Sequence, residues 1–286
     1  MSRTFCPGGV HFDGSTYLHI ASLTATDSPY SAMSFWYRAA RITPDNAEYA
    51  IIAGDAPSGF NSAYLANYAG SPSGRVDNML ASFGNDSFVT GLGYVFTRND
   101  NGAGTEQDVM HHVLIGADLS TLTIKMLIDG VDRGTVTAPS GSGGNIPWNG
   151  LSLYIGADTI FGPPDNDTFI GDLAEVWVGA GQNILDGSGD ITPTMLRKFN
   201  IDGCPVDLGA DGSTPTGTAA AAYFSRPHGA APSVFATNRG TGGTFTLTGS
   251  LTTLDDICAC LGPDAQPCHP MVALIPARVG SGGEGL

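Results

Sequence analysis

β-branched and aromatic residues recur through the first two thirds of the chain in short runs bounded by Gly, Asn, Asp or Pro, the clearest of them alternating apolar with polar at a period of two. That period is the mark of half-buried strands, whose successive side chains point to opposite faces. The runs predict strands over 16–20, 33–39, 49–53, 62–68, 79–83, 94–96, 112–118, 122–128, 133–137, 151–155 and 171–178. The clearest pair is Leu122-Thr123-Ile124-Lys125-Met126-Leu127-Ile128 and Val131-Asp132-Arg133-Gly134-Thr135-Val136, joined by Asp129-Gly130. An Asp-Gly pair between two alternating runs predicts a tight hairpin, because both residues tolerate the positive φ such a turn requires.

A helical signal stands out at 191–200. Thr192 is placed to cap, Pro193 occupies the first helical position, and Lys198 lies near the end, where the helix dipole favours a cation. Two or three turns are expected. Beyond it, 219–224 and 244–248 predict two further strands in a loop-rich extension, 201–254. Too few large apolar side chains occur there for a core of its own, so the extension is expected to pack on the preceding domain or on a neighbour. Residues 255–286, rich in Pro and Gly, predict an extended tail.

Composition supports short strands and many turns. Hydrophobic residues make up 42% and charged ones 14%, with Gly 40 and Pro 18. Of 27 acidic residues only Glu48, Glu106, Glu175 and Glu284 are glutamate, and aspartate favours turns over helix. A net charge of −15 without a Lys/Arg cluster argues against nucleic acid. The start lacks the apolar core of a signal peptide and no run is long enough to span a bilayer, so a protein made in the cytoplasm and not inserted in a membrane is expected. Five cysteines argue against a full disulfide framework. The spacing of Cys258, Cys260 and Cys268 favours ordinary thiols or an incidental disulfide over a zinc site, which uses wider, matched pairs.

Three stretches, in order, resemble the concanavalin A-like, laminin-G-like superfamily. Val10-His11-Phe12-Asp13-Gly14-Ser15-Thr16-Tyr17-Leu18 with Met33-Ser34-Phe35-Trp36-Tyr37-Arg38 looks like its opening strands. His111-His112-Val113-Leu114-Ile115 leading to Lys125-Met126-Leu127-Ile128-Asp129-Gly130-Val131 looks like its central strands and hairpin. Leu153-Tyr154-Ile155-Gly156-Ala157 with Phe169-Ile170-Gly171-Asp172-Leu173-Ala174-Glu175-Val176-Trp177-Val178 resembles its closing pair. The resemblance implies an all-β, two-sheet antiparallel jelly-roll sandwich over 1–200, with one short helix and a C-terminal β/loop extension. The segment 191–217, with Phe235-Ala236-Thr237-Asn238-Arg239-Gly240 and 243–249, resembles the region C-terminal to such domains in tailed-bacteriophage and prophage structural proteins. That resemblance implies a virion protein on the head or tail, partnered by other virion proteins and copies of itself.

Glucan-cleaving enzymes of this fold resemble one another in a Glu-x-Asp-x-x-Glu strand that supplies two carboxylates about 5 Å apart. Here Ile170 replaces the first glutamate. Asp172 and Glu175, at odd spacing, are expected on opposite faces of a strand. Catalysis is therefore not expected, and no catalytic residue is assigned. His111 and His112, being adjacent, face opposite ways and cannot easily share a metal. Calcium is the ion the aspartates suit, at Asp165, Asn166 and Asp167 first and at Asp129 and Asp132 second, against ordinary turns as the simpler use of these residues. The rings of Tyr64, Tyr68, Tyr94, Trp148 and Phe161 are the sequence's candidates for stacking on a host surface glycan, against burial as the alternative.

Overall fold

Short strands, one helical turn and one 3₁₀ turn at Pro232–Val234 build the chain in the computed structural model, which describes residues 5, 7–39, 48–56, 59–66, 78–83, 96–97, 110–137, 144–158 and 168–254. In chain order the strands begin with β1 Pro7–Asp13, β2 Tyr17–Ile20, β3 Tyr30–Ala39, β4 Glu48–Ala56, β5 Gly59–Ala66 and β6 Asn78–Phe83. Then come β7 Phe96–Thr97, β8 His111–Asp118, β9 Thr123–Ile128, β10 Val131–Thr137, β11 Ser152–Ile155 and β12 Ile170–Ala180. After the helical turn α1 Pro193–Leu196 come β13 Asn200–Ile201, β14 Cys204–Pro205, β15 Ala222–Phe224, β16 Arg226–Pro227, β17 Thr246–Thr248 and β18 Thr252–Leu254.

The strands pair antiparallel into two large sheets, the two-sheet arrangement that the resemblance implies. One runs β10-β9-β8-β3-β12-β1-β16, with β15 also beside β12 and β18 also beside β1. The other runs β17-β2-β11-β4-β5-β6-β7. A two-stranded ladder, β13-β14, stands apart. Inward residues of both sheets, among them Val10, Phe12, Leu18, Phe35, Val113, Ile155, Leu173 and Val176, form one continuous core. Each such side chain contributes about 1.5–3 kcal/mol by leaving water.

The β9–β10 hairpin closes as the sequence predicts. Asp129 and Gly130 take φ of 52° and 75°, the left-handed pair that matches the twist of the strands. The aspartate also braces β8, since its Oδ1 accepts from the His112 amide at 2.9 Å and its Oδ2 meets His111 Nδ1 at 2.7 Å.

The extension does not form a layer of its own. β15, β16 and β18 lengthen the first sheet, while β17 adds to the second by pairing with β2. Between β12 and β15 the chain crosses the outer face of the first sheet. Ile184, Ile191, Phe199, Leu208 and Ala220 pack there on Ala32, Leu114, Leu127, Trp177 and Tyr223.

The helix is shorter than expected, a single turn at Pro193–Leu196. Thr192 caps it by accepting from the Met195 amide at 3.1 Å. It stops because Phe199 turns inward to pack edge-on against Trp177, 5.1 Å between ring centres, and the chain then enters the β13–β14 hairpin. Lys198 is correspondingly not at the helix end, and its ammonium donates to the Pro215 carbonyl at 2.6 Å.

Candidate glycan-binding face

In β2, Tyr17-Leu18-His19-Ile20, and in β11, Ser152-Leu153-Tyr154-Ile155, alternate residues are buried and half-buried. Leu18, Ile20, Leu153 and Ile155 enter the core. The pleat therefore turns Tyr17, His19, Ser152 and Tyr154 to the outer face of the seven-stranded sheet. Antiparallel register sets His19 opposite Tyr154, and the line continues through Thr246 on one side and Ala53, Ser62 and Ser82 on the other.

The rings assemble through this register. His19 stacks on Tyr154 with ring centres 4.1 Å apart and planes 17° from parallel. Tyr17 leans on the same ring at 6.1 Å. Ala50 and Ala53 pack against Tyr154. Thr246 and Thr248 form an exposed hydroxyl rim.

Hydrogen bonding fixes the histidine. Ser152 Oγ lies 3.0 Å from His19 Nε2 and 3.4 Å from the Ile20 carbonyl, to which it donates. A hydroxyl has one proton, so both contacts are satisfied when Nε2–H donates to the serine oxygen. Nδ1 is then a lone-pair acceptor. Burial pushes the His19 pKa below its ordinary value, which keeps the ring neutral at neutral pH.

The sequence's own candidates fare differently. Trp148 is a correction, because it is 0% exposed within the inter-sheet core and its indole N–H donates to the Tyr30 carbonyl at 3.4 Å. A ring packed on both faces by apolar side chains has no surface to offer a ligand. The backbone of Tyr64 pairs with Ala50 and Leu80 in β5. Tyr68, Tyr94 and Phe161 lie outside the described residues, as do Asp165, Asn166 and Asp167, the cysteines Cys258, Cys260 and Cys268, and the tail 255–286. The second calcium pair is also corrected. Asp129 is engaged by His111 and the His112 amide, and Asp132 meets the Lys125 ammonium at 2.6 Å, a cation where a metal would need to be. Among the described residues no group of three or more His, Cys, Asp or Glu could hold a metal ion.

The expectation for Asp172 and Glu175 is overturned by a bulge. Between Ala174 and Trp177 the pairing of β12 with β3 slips, and Glu175 takes φ +48°. The extra residue restores both carboxylates to one face, the outer face of the first sheet. Asp172 is held there by Arg38 Nε at 2.7 Å and His11 Nδ1 at 2.9 Å. Glu175 is 1% exposed, covered by the crossing segment, and accepts from Tyr223 Oη at 2.7 Å. Burial raises its pKa to about 7, while Ser225, Tyr223 and the charge of Arg239 pull the other way. His111 and His112 do face opposite ways, but both are buried. His111 meets Asp129, and His112 meets Ser34 Oγ at 2.9 Å, with its pKa pushed down to about 4 by burial.

A groove of about 540 Å³, lined by residues such as Thr24, Asp27, Ser28, Thr218 and Thr241, lies where the crossing segment leaves the end of β12. Among the described residues no aromatic ring lines it. Among the described residues no helix is long and apolar enough to cross a membrane.

Sequence reasoning missed Tyr17, His19 and Tyr154. Their signal was present as aromatic residues on the polar phase of two alternating strands, but the pairing that joins them spans more than 130 positions.

No known sequence family matches the chain, and no curated protein does. Among solved structures, it is similar to a Bacteroides ovatus protein to which carbohydrate binding is ascribed, at 15% identity and TM-score 0.54, over 87% of this chain and 60% of that one. It is also similar to a heptameric pentraxin from Limulus polyphemus, at 16% identity and TM-score 0.45, over 61% and 76% of the two chains. Domains LG4-5 of the mouse laminin α1 chain align at 12% identity and TM-score 0.43, over 64% and 45%. The likeness to the Bacteroides ovatus protein is one of fold.

Proposed function

We propose that this chain is a lectin-like, non-catalytic carbohydrate-binding module whose ligand lies on the outer face of the seven-stranded sheet. The observation that carries the reading is the half-buried ring cluster of Tyr17, His19 and Tyr154 beside the hydroxyls of Ser152, Thr246 and Thr248. The exposed parts of the rings supply apolar area for the C–H groups of a sugar, and the hydroxyls and the imidazole Nδ1 supply directional partners for its hydroxyl groups. The Bacteroides ovatus protein of similar fold, with carbohydrate binding ascribed to it, accords with this reading. Against catalysis stand the isoleucine at 170 and the engagement of Asp172 and Glu175 by neighbouring side chains. A glycan array probed with the protein and with Tyr154→Ala tests the proposal. Tyr154-dependent binding is expected, and no signal above background on any sugar overturns it.

A virion is the setting proposed for the module, with other virion proteins and further copies of the chain as partners. The motive is the resemblance of 191–249 to the region C-terminal to such domains in phage structural proteins. Mass spectrometry of purified particles is expected to detect the chain, and particles without it would refute this placement.

A further inference from the structure

The cations of the two large sheets are distributed unevenly. Arg38, Lys125, Arg133 and Arg226 all belong to strands of the first sheet. The seven strands of the second sheet, from β17 to β7, contain no Lys or Arg at all, and their two acidic residues are Glu48 and Asp55, both on β4. The titratable groups in the ring cluster on this face are Tyr17, His19 and Tyr154. The histidine is bonded through Nε2 to Ser152, and burial disfavours its cationic form.

From this distribution we infer that the ligand of the ring cluster is an uncharged sugar, lying against the exposed parts of Tyr17 and of the His19–Tyr154 stack with one hydroxyl donated to His19 Nδ1, and that sialylated, sulfated or phosphorylated glycans are rejected. The inference rests on the sugar-binding reading of this face and deepens it. A sialic acid carboxylate or a sulfate brought against half-buried rings loses water, and neutral hydroxyls return less of that loss than a cation does. None of the seven strands supplies a cation. The imidazole offers an acceptor, which an anion cannot use and a sugar hydroxyl can. The chain's net charge of −15 adds a long-range repulsion that an uncharged ligand does not feel.

The test is a titration of the protein with a panel of uncharged oligosaccharides and with the same cores carrying sialic acid or sulfate. Uncharged cores are expected to bind at least about tenfold more tightly than their acidic derivatives, with affinity nearly independent of salt. Tyr154→Ala, and separately Tyr17→Ala, is expected to weaken the uncharged ligand by about tenfold, with thermal melts reporting that each variant is folded. Thr246→Lys, on the exposed rim, is expected to narrow the gap between acidic and uncharged ligands severalfold. An acidic derivative that binds more tightly than its uncharged core, and loses that binding on Tyr154→Ala, overturns the charge selectivity while sugar binding stands. Binding of neither class overturns both.

Discussion

Tyr223 donates its phenol proton to Glu175 at 2.7 Å, where the central strand β12 bulges into a left-handed turn beneath the crossing segment. The carboxylate is almost fully enclosed and its other oxygen, Oε1, has no hydrogen-bond partner among the described residues. Ionising it there costs more than in water, which is why its pKa rises from 4.5 to about 7, and why burial beside it pushes the Tyr223 phenol up as well.

A raised carboxyl pKa means the folded chain binds the proton more tightly than the unfolded one. The associated stability is complete below about pH 4.5 and is lost as pH climbs through 7. Glu175→Gln removes that dependence and is expected to stabilise the protein at pH 8 by an amount on the order of 3 kcal/mol, read from urea unfolding. A variant no more stable than the parent at pH 8 would contradict this account.

His112 works in the opposite sense. Burial lowers its pKa from 6.5 to about 4, so the folded chain binds its proton less tightly and stability falls as pH drops from about 6.5 towards 4. Over the shared window the two slopes oppose each other. Glu175→Gln is therefore expected to unmask a rise of stability with pH between 4.5 and 6.5 that the parent protein conceals, visible in melts taken at half-unit steps.

Asp129 combines a backbone and a side-chain role. Asp129→Asn keeps the tolerance of left-handed φ but loses the charge facing His111, at a cost of about 1 kcal/mol. Asp129→Ala also abandons the His112 amide, for a total of roughly 2–3 kcal/mol. Equal losses from the two variants in chemical denaturation would show that the charge facing His111, not the turn or the His112 amide bond, is what matters.

Phe199→Ala is expected to cost about 3–4 kcal/mol and to release the crossing segment ahead of the sandwich. Phe199 sits edge-on to Trp177, whose indole N–H is tied to the Gly212 carbonyl at 2.8 Å. A Cβ at Gly212 would come within 2.8 Å of that indole, so the segment approaches as closely as glycine permits. Hydrogen exchange should accelerate over 181–220 before it does in β3 and β8.

Trp148 and Tyr17 separate packing from recognition. Trp148→Phe is expected to lower stability by about 1–3 kcal/mol and leave ligand affinity alone, because the ring is wholly inside the core. Tyr17→Ala is expected to do the reverse, with melting little changed and sugar binding weakened.

Strand positions were legible because alternation is a local property. Phe35 and Tyr37 in β3, or Ile124 and Met126 in β9, face the core in the phase that their own sequences announce. The hairpin was legible for the same reason, since Asp129 and Gly130 carry their backbone preference with them. A bulge breaks this logic. Nothing in Ala174-Glu175-Val176 announces the extra residue, and one inserted position transfers everything beyond it to the other phase.

By itself, then, the sequence determined most of the strands and their turns, which arise from short-range pattern and turn chemistry, while the two-sheet class was implied by resemblance. Tertiary structure alone decided that Trp148 is core, that Asp172 and Glu175 share a face, and that Tyr17, His19 and Tyr154 meet outside. Each of these depends on register between strands far apart in the chain, such as β2 with β11 and β1 with β12. Which partner a strand finds is set by the summed burial of both sheets, and no single stretch of sequence contains that sum.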